Sequence, residues 1–510
     1  MNIETKKENI NINQIVATKN EIDEIEGNYI VPDIKPDVIE ILKTTGIISI
    51  NKKEILDGKM RIDGSILTYV MYIGGNNTKR EVRSINYSLD FSQIISIKEA
   101  TADMNENTTI NLNSIKCKII NERKLSIKAS VNFNISIFKN VSISNVCDVL
   151  NVKDVQKKLE KKSICSIVGM NNTKTNVSEK INLEGTSKLA EILSASATIS
   201  NIESKVSYNK VLEKANLNFK MIYMSQDKKI ITIRKNYPIM GFIDMKDIKE
   251  NDIINPNFEI NNILIKPNGT EENSISLEVY INISAIALEN KDITIINDMF
   301  CPQINLGLKK NNVKTSKNSI DFIGTYSFQK KINVNISDKA VVYDISCNLE
   351  NIQYKIVETT SIQINAEANF EILILNENKN LELKNAKIPF VYNLNANDIK
   401  KDTKINIRYN LLNENYNILT NGEIEFKMDI NFKASINNIT DIDFVENIFE
   451  DKNDSNLKNN QYNIIVYYTK DNDTMWDICK RFRCTKESLM NSNNLKNENI
   501  EKGMQLFITR

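Results

Sequence analysis

Not one histidine occurs in the 510 residues of this chain. The commonest general base and metal ligand is therefore missing, and with it every Ser-His or Cys-His nucleophile arrangement. The seven cysteines, Cys117, Cys147, Cys165, Cys301, Cys347, Cys479 and Cys484, are odd in number and show no CxxC spacing. They read as reduced thiols in cores or on surfaces. Cys479 and Cys484 are near enough in sequence for a redox or metal pair, but Met475, Ile478, Cys479 and Phe482 recur at helical spacing, which turns Cys479 toward a core. Carboxylate chemistry stays open to a histidine-free chain. Here, however, the acidic residues alternate with Lys and Asn along strand faces that should be wet, and no two stand out as an acid/base pair. There is no GxxxxGK[ST] or GxGxxG loop. The sequence thus assigns no catalytic residue, no metal ligand and no cofactor, and the expected protein is not an enzyme.

What remains is binding, and its residues are concentrated between Tyr462 and Arg510. Ile464 to Thr469 is a β-branched and aromatic run ended by Lys470-Asp471-Asn472, as a strand would be. Asp473 is the expected N-cap of a helix carrying Met475, Ile478, Cys479 and Phe482 on one face, and Thr485 caps a second, shorter helix with Leu489 inward. A polar stop at Asn491–Asn494 is followed by Ile500, Gly503, Leu506 and Ile508, a turn and a closing strand.

This strand-helix-helix-strand segment resembles a LysM module. The stretch Tyr467-Tyr-Thr-Lys-Asp-Asn472-Asp473-Thr474-Met475-Trp476-Asp-Ile478-Cys479 follows the family's opening signature, with Asn472 in place of the usual Gly and Thr469 in place of the usual Val. Asn tolerates positive φ, so the turn survives. The family pattern turns Ile465, Tyr467 and Thr469 to the core. Strand alternation then puts Ile464, Val466 and Tyr468 on the opposite face, apolar where a solvated strand should be polar. With Trp476 these are the expected anchors for a protein partner. The resemblance also implies an alternative, a groove for N-acetylglucosamine polymer lined by Asp473, Thr474, Met475, Asn493, Leu495 and Ile500.

The rest of the chain positions this module. Charge is balanced, 66 basic against 65 acidic residues, which offers no long-range attraction to nucleic acid or anionic lipid. No stretch approaches the length of an apolar transmembrane span and the first twenty residues have no signal-peptide core, so the expected compartment is the cytosol. Landmarks repeat at a period of 151 residues: Val38, Leu189 and Ala340, then Gly64, Ala215 and Ala366, each taken to open an apolar strand. Short motifs ending in Phe follow, Tyr87 to Phe91, Tyr237 to Phe242 and Ile388-Pro389-Phe390. Near the end of each copy a long alternating run appears, Leu125 to Ile137, Ile275 to Ala287 and Ile424 to Ile436, every second residue apolar. Such runs are strands with one buried face. Val149, Val152, Val155 and Leu159 keep helical spacing and predict one helix between the first and second copies.

The expected fold is mainly β: three tandem antiparallel, sandwich-like repeat domains and a small βααβ module. The expected divisions are a polar tail over 1–22, β repeats over 23–165, 166–317 and 318–450, a flexible linker over 451–461 that lets the module swing free, and the LysM module over 462–510.

The repeats joined to a C-terminal LysM resemble the SipL-type spore coat proteins of clostridia, on the strength of Asp37-Val38, the Gly64 strand, Ile388-Pro389-Phe390 and the order of the whole chain. The resemblance implies a non-enzymatic morphogenetic factor in the mother-cell cytoplasm, at the outer forespore membrane. There the LysM would bind a SpoIVA-type coat ATPase, and other coat proteins would meet the β repeats. Peptidoglycan is the ligand only under the alternative reading.

Overall fold

In the computed structural model the described residues are 3–75, 80–183, 188–269, 273–334, 336–337, 340–397, 399, 403, 405–419, 422–451 and 464–509. The alternating runs are buried faces as expected: Leu125, Ile127, Ala129, Val131, Phe133, Ile135 and Ile137 have no solvent exposure, and their counterparts from Ile275 and from Ile424 are equally enclosed. Each belongs to a much longer strand, because the chain continues past the core into contacts between copies.

Among the described residues before the C-terminal module, eighteen strands group in sixes. The first lobe comprises β1 (Thr5–Ile30), β2 (Val38–Leu56), β3 (Lys59–Gly75), β4 (Arg80–Ser96), β5 (Asn105–Asn121) and β6 (Lys124–Val149). The second has β7 (Gln156–Asn182), β8 (Leu189–Ser207), β9 (Lys210–Ser225), β10 (Ile230–Asp244), β11 (Ile253–Pro267) and β12 (Ser274–Phe300). The third has β13 (Leu306–Asn333), β14 (Val341–Val357), β15 (Ser361–Leu375), β16 (Leu381–Asn395), β17 (Ile405–Ile418) and β18 (Glu423–Glu450). In every lobe the second, third and fourth strands form one antiparallel sheet and the first, sixth and fifth another, in those orders. The two inner faces close on a common core; in the first lobe Met60, Ile62, Ile66, Val70 and Tyr72 of β3 meet Leu125 through Ile137 of β6.

Four expectations fail. Residues 5–22 are not a tail: they pair with β6 from Thr5↔Val149 onward, and their order comes from that ladder, since they bury little besides Ile10, Ile12 and Asn13. For the same reason the boundaries expected at 165/166 and 317/318 fall inside β7 and β13. Nor is there a helix from Val149 to Leu159: β6 ends at Val149, the chain turns through Asp154 at φ 58°, and β7 begins at Gln156. The helical spacing arose because Val149, Val152 and Val155 fill a cluster between lobes, while Leu159 is exposed. Gly64, Ala215 and Ala366 lie within β3, β9 and β15 instead of opening them.

The lobes are not beads on a string. β1, β7 and β13 meet one another. Ile10, Ile12 and Ile143 of the first lobe share a cluster with Ile164 and Ile295 of the second and Val313, Ile442 and Phe444 of the third. Gln14 pairs with Thr315, so the third lobe's sheet runs on into the first's. A separate cluster draws Leu42 and Met71, Leu193 and Ile222, and Leu373 and Leu381 from the three lobes in turn. Beside it is a buried charge network: Asp344 of the third lobe, with no solvent exposure, takes Lys220 Nζ at 2.9 Å and Arg234 at 2.6 Å from the second, and Lys43 of the first at 3.6 Å.

Candidate functional site

The C-terminal module folds as β19 (Ile464–Tyr468), α1 (Met475–Phe482), α2 (Lys486–Ser492) and β20 (Gln505–Thr509). The expected linker lies outside the described residues except for Asp451. The module's core is Met475, Ile478, Cys479, Leu489, Leu506 and Ile508, all buried, with Ile465 and Tyr467 partly so. Asn472 takes φ 68°, as the Gly-to-Asn exchange requires. Thr474, not Asp473, caps α1: its hydroxyl accepts from the Asp477 N–H at 3.2 Å. Asp473 is diverted because its carboxylate accepts from the Tyr467 hydroxyl at 2.6 Å and the Lys470 N–H at 2.8 Å, bonds that hold it below the usual carboxylate range. Thr485 caps α2, accepting from Ser488 N–H at 3.0 Å.

The four expected anchors separate into two places. β19 and β20 pair antiparallel, Ile464 opposite Thr509 and Val466 opposite Phe507. Ile464, Val466, Tyr468 and Phe507 point away from the core and are 62, 48, 60 and 45% exposed. Phe507 was missed in the sequence because the family pattern drew attention to the first strand, although alternation with Leu506 and Ile508 inward already turned it outward.

Trp476 lies elsewhere. It is 6% exposed, and Phe300 at the end of β12 meets it edge-on with centroids 5.1 Å apart. Its indole N–H donates to Asp298 Oδ2 at 3.0 Å, and Lys480 Nζ reaches the same carboxylate at 2.7 Å. The helical face of the module therefore contacts the end of β12 in the second lobe.

Most groups of the alternative groove are spent within the module. Met475 is 2% exposed. Asn493 donates to the Leu489 and Phe507 carbonyls at 2.8 and 2.7 Å and accepts from the Phe507 N–H at 2.7 Å, tying α2 to β20. Asp473 is engaged as described, Thr474 holds Asp477, and Leu495 and Ile500 lean on the core. Cys479 and Cys484 are buried together; their mutual hydrogen bond and burial push the Cys479 thiol up, the reverse of a reactive thiolate. Among the described residues no cluster of three His, Cys, Asp or Glu is placed to hold a metal ion, and no helix is long and apolar enough to cross a membrane.

Residues 37–120 and 188–268 match the family model of the SipL SPOCS domain, and residues 467–509 match that of the LysM domain. These matches are together the combination found in a SipL-type protein with a LysM domain. The SPOCS matches begin at β2 and β8 and end with β5 and β11, so the long first and sixth strands of the first two lobes lie outside them, and the third lobe repeats the architecture without a match. Both families consist of non-catalytic binding domains, and their combination marks a sporulation protein associated with the coat. No curated protein and no solved structure gives a match to the chain.

Proposed function

We propose that this SipL-type protein is a non-enzymatic morphogenetic scaffold of the spore coat. It would link the assembling coat to the forespore surface, in the mother-cell cytoplasm at the outer forespore membrane, by LysM binding to a SpoIVA-type coat ATPase. The observation that carries this is the open side of the β19–β20 sheet. Four large apolar side chains, Ile464, Val466, Tyr468 and Phe507, stand together in water on a module too small to bury them itself. Such a patch on a two-stranded sheet fits a protein contact, where apolar and aromatic anchors each contribute on the order of 2 kcal/mol.

The glycan reading is the weaker one, since Asp473 and Asn493 already satisfy their side-chain hydrogen bonds inside the module. Co-purification with the candidate ATPase tests the proposal. Ile464→Arg should abolish capture while the lobes stay folded. Undiminished capture, or pelleting of the protein with purified peptidoglycan in the absence of the ATPase, would sink it.

A further inference from the structure

The helical face of the LysM domain has its own receptor. We propose that Gln156, Asp298 and Phe300 form a docking site for the chain's own LysM domain, which holds it on the second lobe and fixes the direction in which its apolar sheet face is offered.

Three kinds of contact converge there. The Asp298 carboxylate collects the Trp476 indole N–H and the Lys480 ammonium. Burial pushes Asp298 up, but the bonds from Lys480 and Trp476 outweigh it and hold the carboxyl below its usual range. Phe300 covers the Trp476 ring. Gln156 Oε1 accepts the Lys486 backbone N–H at 3.2 Å, at the first turn of α2, where a helix has no acceptor of its own.

The comparison among lobes shows that this site is specific to the second one. In each lobe the sixth strand carries a bulge, which brings Asp148, Asp298 or Asn447 opposite the first strand. Asp148 is neutralised within the body by Lys157 at 2.5 Å. The registers Asp298↔Lys158 and Asn447↔Lys309 make Lys158 and Lys309 equivalent, so the residue corresponding to Lys157 at the next junction is Leu308. The body supplies Asp298 with no lysine at that place. The LysM domain supplies Lys480, and Ile464, Val466, Tyr468 and Phe507 take no part in the contact.

Trp476 is the sole tryptophan of the chain, so its fluorescence in the full-length protein reads the docking directly. The wild type should emit as a shielded indole. Asp298→Lys and Phe300→Ala should each raise acrylamide quenching several-fold and shift emission to the red, with unchanged circular dichroism. Combining Asp298→Lys with Lys480→Asp should restore part of the protection. Quenching that is the same in all variants would overturn the proposal, because the LysM core alone would then shield the ring. Protection in the wild type that disappears on dilution would also overturn it, in favour of docking onto a second copy. Neither outcome depends on the partner's identity, so failure here and failure of the coat-ATPase reading are distinguishable.

Discussion

Asp344 occupies the position of Leu193 one period later, and of Leu42 two periods later. The two leucines pack among aliphatic side chains of all three lobes. Asp344 instead gathers Lys43, Lys220 and Arg234, with Ser346 shared between the two lysines at 2.6 and 3.0 Å. One member of an otherwise repeated apolar set is thus a carboxylate whose partners come from the other two lobes. That asymmetry gives the lobes a fixed order around the cluster.

Replacing Asp344 removes the one carboxylate shared by Lys220, Arg234 and Lys43, although Lys43 keeps Glu371 at 3.0 Å. Burial pushes Asp344 up, and Lys220, Lys43 and Arg234 outweigh it and hold the carboxyl below its usual range. Asp344→Asn should cost roughly 3–5 kcal/mol, the usual cost of breaking a buried ion pair from one side. Urea denaturation at pH 7 measures it. Because the native pKa is depressed, the network's contribution is present above the unfolded pKa near 4 and fades as pH falls through the native value, so the difference between variant and wild type should shrink in acid.

Glu213 predicts the opposite pH trend. It is fully buried in β9, its Oε2 accepts from Ser204 Oγ at 2.7 Å, and Oε1 has no hydrogen-bond partner among the described residues. Burial pushes its carboxyl up to about 7. A raised native pKa means that the folded state keeps its proton while the unfolded chain loses it. The cost is absent below the unfolded pKa near 4.3, grows as pH rises, and is complete above 7. Glu213→Gln should therefore be stabilising by on the order of 1–3 kcal/mol at pH 8 and close to neutral at pH 4. Melting temperatures at the two pH values decide it.

Gly64 is held small by its neighbours. A Cβ there would come within 2.5 Å of the Phe91 ring and 2.6 Å of the Ser49 carbonyl oxygen. Backbone cannot yield as a side-chain end can, so Gly64→Ala should destabilise the first lobe by about 1–3 kcal/mol, as overpacked cores do. Adding Phe91→Leu should recover only part of this in a denaturant titration, because the carbonyl contact persists.

Val466 and Phe507 are cross-strand neighbours on the open LysM face. If both sit in one partner pocket, truncating them to Ala singly and together should reveal a coupling of roughly 0.5–3 kcal/mol in affinity for the proposed ATPase partner. Strict additivity in calorimetry would mean that the two side chains do not share a pocket.

How much of this was legible in the sequence follows from what each signal measures. Alternation in Leu125–Ile137 reports a face buried within a lobe, and it located all three sixth strands. The first strands escaped, since Thr5–Ile22 is ordered by backbone pairing with β6 and few of its side chains are buried. Val149, Val152 and Val155 misled because a cluster shared among lobes imposes no strand period on a turn. In the LysM domain, period-two alternation found the outward set Ile464, Val466 and Tyr468, while Trp476 was grouped with them as a partner anchor because its neighbours Asp298 and Phe300 lie 178 and 176 residues away.

The bridge from Gln14 to Thr315 has a last consequence. Head-to-tail contacts between like units either run on as a filament or come back on themselves, depending on the rotation per step. Here the third unit meets the first, so the body is self-limiting: the surface of β13 that would accept a further unit is already occupied by β1.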